Sequence, residues 1–456
     1  MNRPLQLTSS DCGGQPRGAG LEDLLGRTPV SLDLSLVEDD LRNRVILLTG
    51  AAGSIGSELA RQIAAFGPAR LVLLDQSESD LYFLHLDLTE AHPALDVVPV
   101  ICDITNQSRL AQVYAQHRPE YVIHAAAYTH VPLMEANVLE AVRNNVLGTL
   151  LVATAAVRYG ARKFLLVSTD KAIRPSTVMG ATKRIAERII FGVPNLHRSG
   201  TDFRAVRFGD VLTSGVSVIP LFQRQLAAGR PLTVTDPGAT RYFITLSEAA
   251  QLVLQAASLP ETTGAIAMLD MGEPVRILDL AEKLILLSGR IPGKDVPIVF
   301  TGLRSGEQLH EEQISKLEAT VPTSAEKIRI SQTGETAGPE LLQRLSRLFA
   351  FLDAGDRDGL LAALCELVPE CLPPLRLFQG ARPSVPVSTA HALQTWGGLA
   401  DPAEIQWRER KPAPPATGGP PDLKVIDRRG GVVCRRKTPR MGGRRRTDLG
   451  AQRSTR

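Results

Sequence analysis

Thr49-Gly50-Ala51-Ala52-Gly53-Ser54-Ile55-Gly56 is the stretch whose reading decides the fold. It follows a short apolar run, 44–49, of the kind a buried parallel strand requires, and opens a helix-like segment, 57–66. Gly50 permits a tight turn, Gly53 lets the backbone approach a pyrophosphate, and Gly56 lets helix and strand pack closely. The helix N-terminus that follows offers open N–H groups and partial positive charge to phosphates, with Ser54 and Ile55 further candidate cofactor contacts. Asp75 ends the next apolar run, 70–75, where a carboxylate accepts hydrogen bonds from a ribose 2′-OH and repels a 2′-phosphate. The motif therefore predicts NAD as cofactor, with NADP disfavoured. Asp103, at the end of the run 97–102, is a candidate adenine contact with Ile104 beside it, or else a helix cap.

Outward from this motif, strand-like runs recur at 121–125, 163–168 and 202–208. Helical patterns at 110–117, 136–159 and 179–191 separate them. Such alternation predicts an α/β fold, a Rossmann-type doubly wound parallel sheet covered by helices on both faces. Beyond 209 the alternation loosens, with helices expected at 217–228, 247–257 and 277–287 and strands at 233–235 and 266–270. A helical pair is expected at 339–352 and 358–367, broken at Ala354-Gly355-Asp356.

Composition narrows the class. The 456 residues are 43% hydrophobic and 22% charged, a globular balance, and only 4% aromatic, so the core must be largely aliphatic. No apolar run approaches the roughly 18 residues that span a bilayer. Cys12, Cys102, Cys365, Cys371 and Cys434 are scattered and form no CxxC pair, which argues against a structural zinc or a disulfide framework. No metal site is expected. The net charge of +4 divides unevenly: residues 424–456 carry 12 of the 52 Lys and Arg and 2 of the 48 Asp and Glu. The body is mildly acidic and the tail basic, so no specific nucleic-acid partner is expected. The tail, with Arg428-Arg429 and Arg444-Arg445-Arg446, is expected to be solvated, with weak attraction to an anionic membrane surface.

Ser168-Thr169-Asp170-Lys171 falls at the C-terminal end of the fifth strand, the edge where open α/β sheets bind ligands. Met179 and Lys183, at i and i+4, share one helical face. Read alone, Asp170 and Lys171 are either an acid–base pair or a loop ion pair, and Lys183 is either a site residue or a solvated charge. Burial would raise the pKa of the acid and lower that of the lysine.

The glycine spacing, His124-Ala125-Ala126-Ala127 and Asn144-Asn145-Val146-Leu147-Gly148-Thr149 resemble the extended short-chain dehydrogenases/reductases, in which Ala125 and Ala126 would lie against the cofactor. Longer stretches narrow the resemblance: GLEDLLGRTPVSLD at 20–33, VILLTGAAGSIGSELARQI at 45–63, STDKAIRPSTVMGATKR at 168–184 and VFTGLRSGEQLHEE at 299–312. Over about 20–374 the chain resembles the CapD-like polysaccharide-biosynthesis proteins, nucleoside-diphosphate-sugar 4,6-dehydratases acting mostly on UDP-N-acetylglucosamine.

That resemblance implies a UDP-sugar substrate and a redox cycle through NAD. Lys171 matches the base for the sugar C5 proton, Asp170 the acid for the departing C6 hydroxyl, and Thr169 a hydrogen-bond partner of the C4 oxygen. Lys183 matches the ligand of the nicotinamide ribose. Met179 stands where the wider family has tyrosine and is expected beside the site. Arg241 and Arg304 match contacts to a diphosphate, and Glu307 a ribose ligand. Thr129, Asp210, Ser305, His310 and 213–216 depart from the family pattern, and Asp210 near a diphosphate would be repulsive unless neutralised.

A UDP-sugar 4-epimerase, or an NAD-binding regulatory or scaffold protein without turnover, are the competing readings. The expected organisation is a disordered 1–20, an NAD-binding domain over 21–208, a sugar-nucleotide subdomain over 209–335, a helical segment over 336–378 and a disordered tail over 379–456. The long members of the family carry an N-terminal membrane region. This sequence is expected to be a soluble, cytoplasmic form, peripheral at the inner face of the membrane if the tail docks there, and a homo-oligomer.

Overall fold

Strand β1, Val45–Thr49, sits inside a nine-stranded sheet and reads VILLT, aliphatic until its last residue, as burial on both faces demands. Ile46 and Leu48 face one side and Leu47 the other, so successive residues feed two separate apolar layers. The structure is a computed structural model that describes residues 34–192, 200–212, 214, 215, 217–304, 306–312, 319–331 and 339–371. The expected disordered ends, and Thr213, Val216 and Ser305, lie outside the described residues.

Strands β2 (Arg70–Asp75) and β3 (Val97–Ile101) pair successively on one side of β1. Strands β4 (Tyr121–His124), β5 (Lys163–Val167) and β6 (Asp202–Arg207) continue on the other, all parallel. A seventh parallel strand, Ile266–Leu269, follows β6, and two antiparallel strands, Ile328–Ser331 and Thr320–Pro322, close that edge. The chain winds outward from β1 to β3 and then returns to start again at β4. This reversal opens a crevice at the C-terminal ends of β1 and β4, the switch point where doubly wound folds take ligands.

Helices α1 (Ser35–Leu41), α2 (Ser54–Ala65) and α3 (Glu78–Ala91) cover one face together with the helix Leu246–Ser258, through residues such as Leu41, Ile63, Leu84 and Val253. The other face carries α4 (Gln107–His117), α5 (Val131–Ala136), α6 (Val138–Val142), α7 (Gly148–Arg158) and α8 (Val178–Gly192). The helices Pro339–Ala354 and Arg357–Leu367 pack on that same face. Each fully buried Leu, Ile or Val side chain here contributes about 1.5–3 kcal/mol of transfer free energy. A third apolar cluster, including Leu212, Phe222, Phe243 and Leu280, lies between residues 212 and 296. Ile266–Leu269 and Ile328–Ser331 nevertheless join the main sheet, so the chain beyond 209 serves both the sheet and this separate cluster.

The single helix expected over 136–159 is instead α6, a π-helical turn at Arg143–Leu147, and α7. The turn buries Asn145, whose Oδ1 accepts from Tyr128 N at 2.8 Å and whose Nδ2 donates to Tyr128 O at 2.9 Å and Thr182 Oγ1 at 3.0 Å. One amide thus ties the segment after β4 to α8. Among the described residues no helix is long and apolar enough to cross a membrane.

Candidate active site

The glycine turn takes its shape from steric necessity. Gly50 has φ +68°, and a Cβ there would lie 2.5 Å from Ala126 N. A Cβ on Gly56 would fall 2.0 Å from Gly50 O, so α2 can start this close to β1 only without a side chain. Gly53 is the N-cap of α2, and no side chain caps it, so the first amides of the helix have no side-chain partner. Asp75 Oδ2 accepts from Ala52 N and Oδ1 from Ser77 N, both at 2.9 Å. The carboxylate is thereby fixed at the end of β2. A cleft of about 230 Å³ runs along Gly50, Gly53, Asp75, Ala125, Ala126 and Ile104. Ser54 Oγ accepts from Gly215 N at 3.2 Å, and Ile55 packs into the apolar layer beneath.

Asp103 is not the cap of α4. Its Oδ1 is taken by Thr105 N and Thr105 Oγ1 at 2.8 Å, and its neighbours Cys102 and Ile104, not Asp103, line the cleft. The cap of α4 is Asn106, accepting from Arg109 N at 3.0 Å.

At the end of β5 the extended Thr169 caps a 3₁₀ turn, Asp170–Ala172. Its Oγ1 accepts from Lys171 N and donates to Asp170 Oδ1 at 3.1 Å. The Asp170 side chain is 3% exposed, and its Oδ2 has no hydrogen-bond partner. Burial pushes this carboxyl above the usual carboxylate range, Lys171 pulls against that and Asp210 adds repulsion. The carboxyl is thereby biased towards its protonated form.

Lys171 corrects the expectation of a depressed amine. Its Nζ donates to Asp210 Oδ1 at 2.9 Å, Glu311 Oε2 at 3.1 Å and Asp170 Oδ1 at 3.2 Å. Burial works to lower its pKa, but the three carboxylates overcome burial and hold it well above the ordinary lysine value. The same contact answers the repulsion expected of Asp210, which Lys171 neutralises.

Helix α8 is buried almost throughout, between the sheet and the helix Arg357–Leu367. Lys183, 3% exposed, donates to Val167 O at 2.7 Å, and burial draws its pKa down to about 8 against the pull of Glu187. Met179, 2% exposed, lies in the apolar layer and lines neither cavity. The expectation of Met179 beside the reacting groups is thus corrected to a core position, which suits a thioether with no proton to exchange.

A larger cavity of about 610 Å³ is lined by Asp170, Lys171, Asp210, Arg241, Arg304 and Glu307, with Thr129 at its rim. Its wall at Thr129 and His130 adjoins Ala127 and Tyr128 of the smaller cleft, so the two meet along the segment after β4. Arg241 is held by Glu307 Oε1 at 3.2 Å, Glu311 Oε1 at 3.2 Å and Thr240 O at 2.7 Å. Glu307 Oε2 accepts from Arg304 N at 3.1 Å, so Glu307 braces the two arginines with both oxygens. His310 is exposed and meets Thr240 Oγ1 at 2.9 Å. Sequence reasoning passed over Glu311. Burial, opposed by Lys171 and Arg241, pushes its carboxyl up to about 8. Its only signal in the sequence is its place in the stretch 299–312.

Residues 46–333 match the family described as polysaccharide biosynthesis protein. The chain is 50% identical over 309 residues to a capsular polysaccharide biosynthesis protein, CapD, of Staphylococcus aureus, covering 68% of this chain and 51% of that protein. It thus spans about half the length of that relative. It is 30% identical to a UDP-N-acetylglucosamine 4,6-dehydratase (inverting) of Campylobacter jejuni, over 59% of this chain and 77% of that one. It is equally 30% identical to a UDP-glucose 4-epimerase of Rickettsia rickettsii, over 60% of this chain and 79% of that one. Among solved structures, Pen from Bacillus thuringiensis superposes with a TM-score of 0.59 at 29% identity, covering 65% of this chain and 92% of that one.

Proposed function

Since the chain belongs to the polysaccharide biosynthesis protein family, we propose that it is an NAD-dependent nucleotide-sugar 4,6-dehydratase, acting on UDP-N-acetylglucosamine or a close relative. The observation that carries this reading is Asp170. A buried carboxyl with an unpartnered Oδ2 stands beside a lysine, at the C-terminal end of β5, on the wall of a sugar-sized cavity. A 4-epimerase returns hydride to C4 and has no use for a carboxylic acid beside a leaving group. A dehydratase needs one.

The turn at Gly50–Gly56 fits a dinucleotide, since Gly50 and Gly53 line the smaller cleft and no side chain caps the helix that follows. Gly50, Gly53 and the first amides of α2 would hold the pyrophosphate, and Asp75 a ribose hydroxyl, which favours NAD over NADP. Ala125 and Ala126 leave room along the cleft. The chemistry NAD supplies when bound is hydride acceptance from sugar C4 and hydride return to C6.

The Asp170 carboxyl donates its proton to the C6 hydroxyl as it leaves as water, and Lys171, in its uncharged form, accepts the C5 proton that the adjacent 4-ketone acidifies. Thr169 lies on the same turn and orients Asp170 through its hydroxyl. Lys183, still mostly charged at neutral pH with its pKa at about 8, contributes a positive field beneath the ribose site. Arg241 and Arg304 offer guanidinium forks to the diphosphate.

The test is incubation of the protein with NAD and UDP-N-acetylglucosamine, read by mass spectrometry. Loss of one water supports the dehydratase, an unchanged mass with a new sugar the epimerase. Asp170→Asn and Lys171→Ala should each lower turnover about 10²- to 10⁴-fold with NAD still bound. Full dehydration by either variant would remove the assigned role.

A further inference from the structure

The larger cavity is charged unevenly along its wall. Around Asp170 both cations, Lys171 and Arg241, are tied to carboxylates. Every nitrogen of the Arg241 guanidinium is engaged: Nε with Glu311, Nη2 with Glu307, and Nη1 with the carbonyls of Thr240 and Leu309. Arg241 can meet a diphosphate only by giving up one of these contacts. Arg224 and Arg304 line the same cavity, and among the described residues neither guanidinium has an ion-pair or hydrogen-bond partner. From 211 to 235 the chain carries no Asp or Glu, so nothing close in sequence answers Arg224.

Helix geometry puts Arg224 on the cavity wall. Ser217, the cap of the helix Val218–Ala227, lines the cavity with Pro220, Leu221 and Arg224, and spacings of three, four and seven residues form one helical face. The chain enters this helix beside the cofactor turn, where Gly215 N donates to Ser54 Oγ at 3.2 Å. Arg224, seven residues past Ser217, lies about 10 Å further along the wall. Gln225 Nε2 donates to Thr233 Oγ1 at 2.8 Å and docks this end of the helix on the strand Leu232–Val234. The strand paired with it, Ile298–Phe300, leads to Arg304. Both unpaired guanidiniums are thus carried by elements packed on one strand, away from the cluster at Asp170.

We propose that Arg224 is a substrate-binding residue which, with Arg304, takes the diphosphate of the sugar nucleotide and sets its direction in the cavity, sugar towards Asp170 and nucleoside away from it. The proposal rests on the reading of the cavity as a nucleotide-sugar site, and not on which reaction follows. Two cations without partners match the two negative charges of a diphosphate joined at both ends. Guanidinium forks suit its paired oxygens. The carboxylates at the reacting end repel the same group, so the reversed pose is disfavoured. Arg224 is exposed on the wall, so solvent screens its pull and the expected effect is moderate.

The test measures the affinities of UDP and of uridine for the full chain with NAD, by titration calorimetry, in the native protein, Arg224→Gln and Arg224→Lys. Arg224→Gln is expected to weaken UDP about tenfold while uridine stays within about twofold and NAD binding is unchanged. Arg224→Lys should keep part of the UDP affinity, since it keeps the charge and loses the fork. In turnover Arg224→Gln should raise KM for UDP-N-acetylglucosamine about tenfold with kcat little changed. UDP affinity unmoved in Arg224→Gln overturns the proposal. An equal loss for uridine also overturns it, because the side chain would then serve the nucleoside or the fold. If the native protein binds UDP in this way but dehydrates no sugar nucleotide, the dehydratase reading fails and the anion site stands. If native protein binds UDP no better than uridine, the anion site fails whatever the reaction.

Discussion

Asp170 and Lys171 are adjacent in sequence and at the end of a recognisable strand, so their position at the ligand edge was legible from the order of residues. The charge state of Lys171 was not, because it depends on Asp210, 39 residues away, and on Glu311, 140 residues away. Burial alone would have depressed the amine, and the folded chain instead surrounds it with carboxylates. Asp210→Asn removes one of them and should lower the pKa of Lys171. The limb of the pH–rate profile that requires an uncharged amine then moves to lower pH, which a profile of kcat/KM against pH measures directly. An unmoved limb would mean that Lys171 is not the group titrating. Asp75 was legible too, though its ties to Ala52 N and Ser77 N were not. Asp75→Asn removes the charge that repels a 2′-phosphate while keeping an acceptor. The ratio of NADP to NAD affinity should rise about tenfold, some 1.4 kcal/mol, in a binding titration of both cofactors.

Among the elements, α8 holds the reacting groups from beneath. Glu187, wholly buried, accepts from Arg207 at 2.6 and 2.7 Å, from Ser168 Oγ at 2.6 Å and from Arg184 at 3.1 Å. Arg184 and Arg188 reach Glu370 after the last helix, at 2.8 and 3.0 Å. This chain of ion pairs fixes β5, β6, α8 and the C-terminal helices against one another. Burial opposes the Glu187 anion, but Arg207, Arg184 and Ser168 hold its pKa at about 2. With the folded value below the ordinary 4.5, its contribution is complete above pH 4.5 and is lost as the pH falls towards 2. Glu187→Gln removes the buried charge that faces Arg207 and Arg184 and should cost about 3–5 kcal/mol near neutral pH. Acid and urea unfolding should show the deficit shrinking at low pH, and a pH-independent difference would count against the assignment. Sequence periodicity found α8 but not α3. Leu81, Leu84 and Leu88 of α3 are buried while Tyr82, Phe83 and Leu86 are exposed on the same helix, which blurs any apolar stripe. It also ran α6 and α7 together, because the backbone stays in the right-handed helical region on both sides of the π-helical turn.

For the molecule as a whole, the parallel half of the sheet could be read from its aliphatic runs, and the switch point followed from the glycine turn. The antiparallel edge, Thr320–Pro322 and Ile328–Ser331, is too short and too polar to announce itself, and only pairing with Ile266–Leu269 explains it. The same distance in sequence hid the meeting of residues 299–312 with the end of β5, which completes the larger cavity. The account stands on that cavity being a place where water is removed from a sugar. The most direct measurement is the mass of the sugar nucleotide recovered after incubating the protein with NAD and UDP-N-acetylglucosamine in deuterium oxide. A product lighter by one water and carrying deuterium at C5 is the predicted result. An isomer of unchanged mass without deuterium, or untouched substrate from protein that still binds NAD, would contradict it.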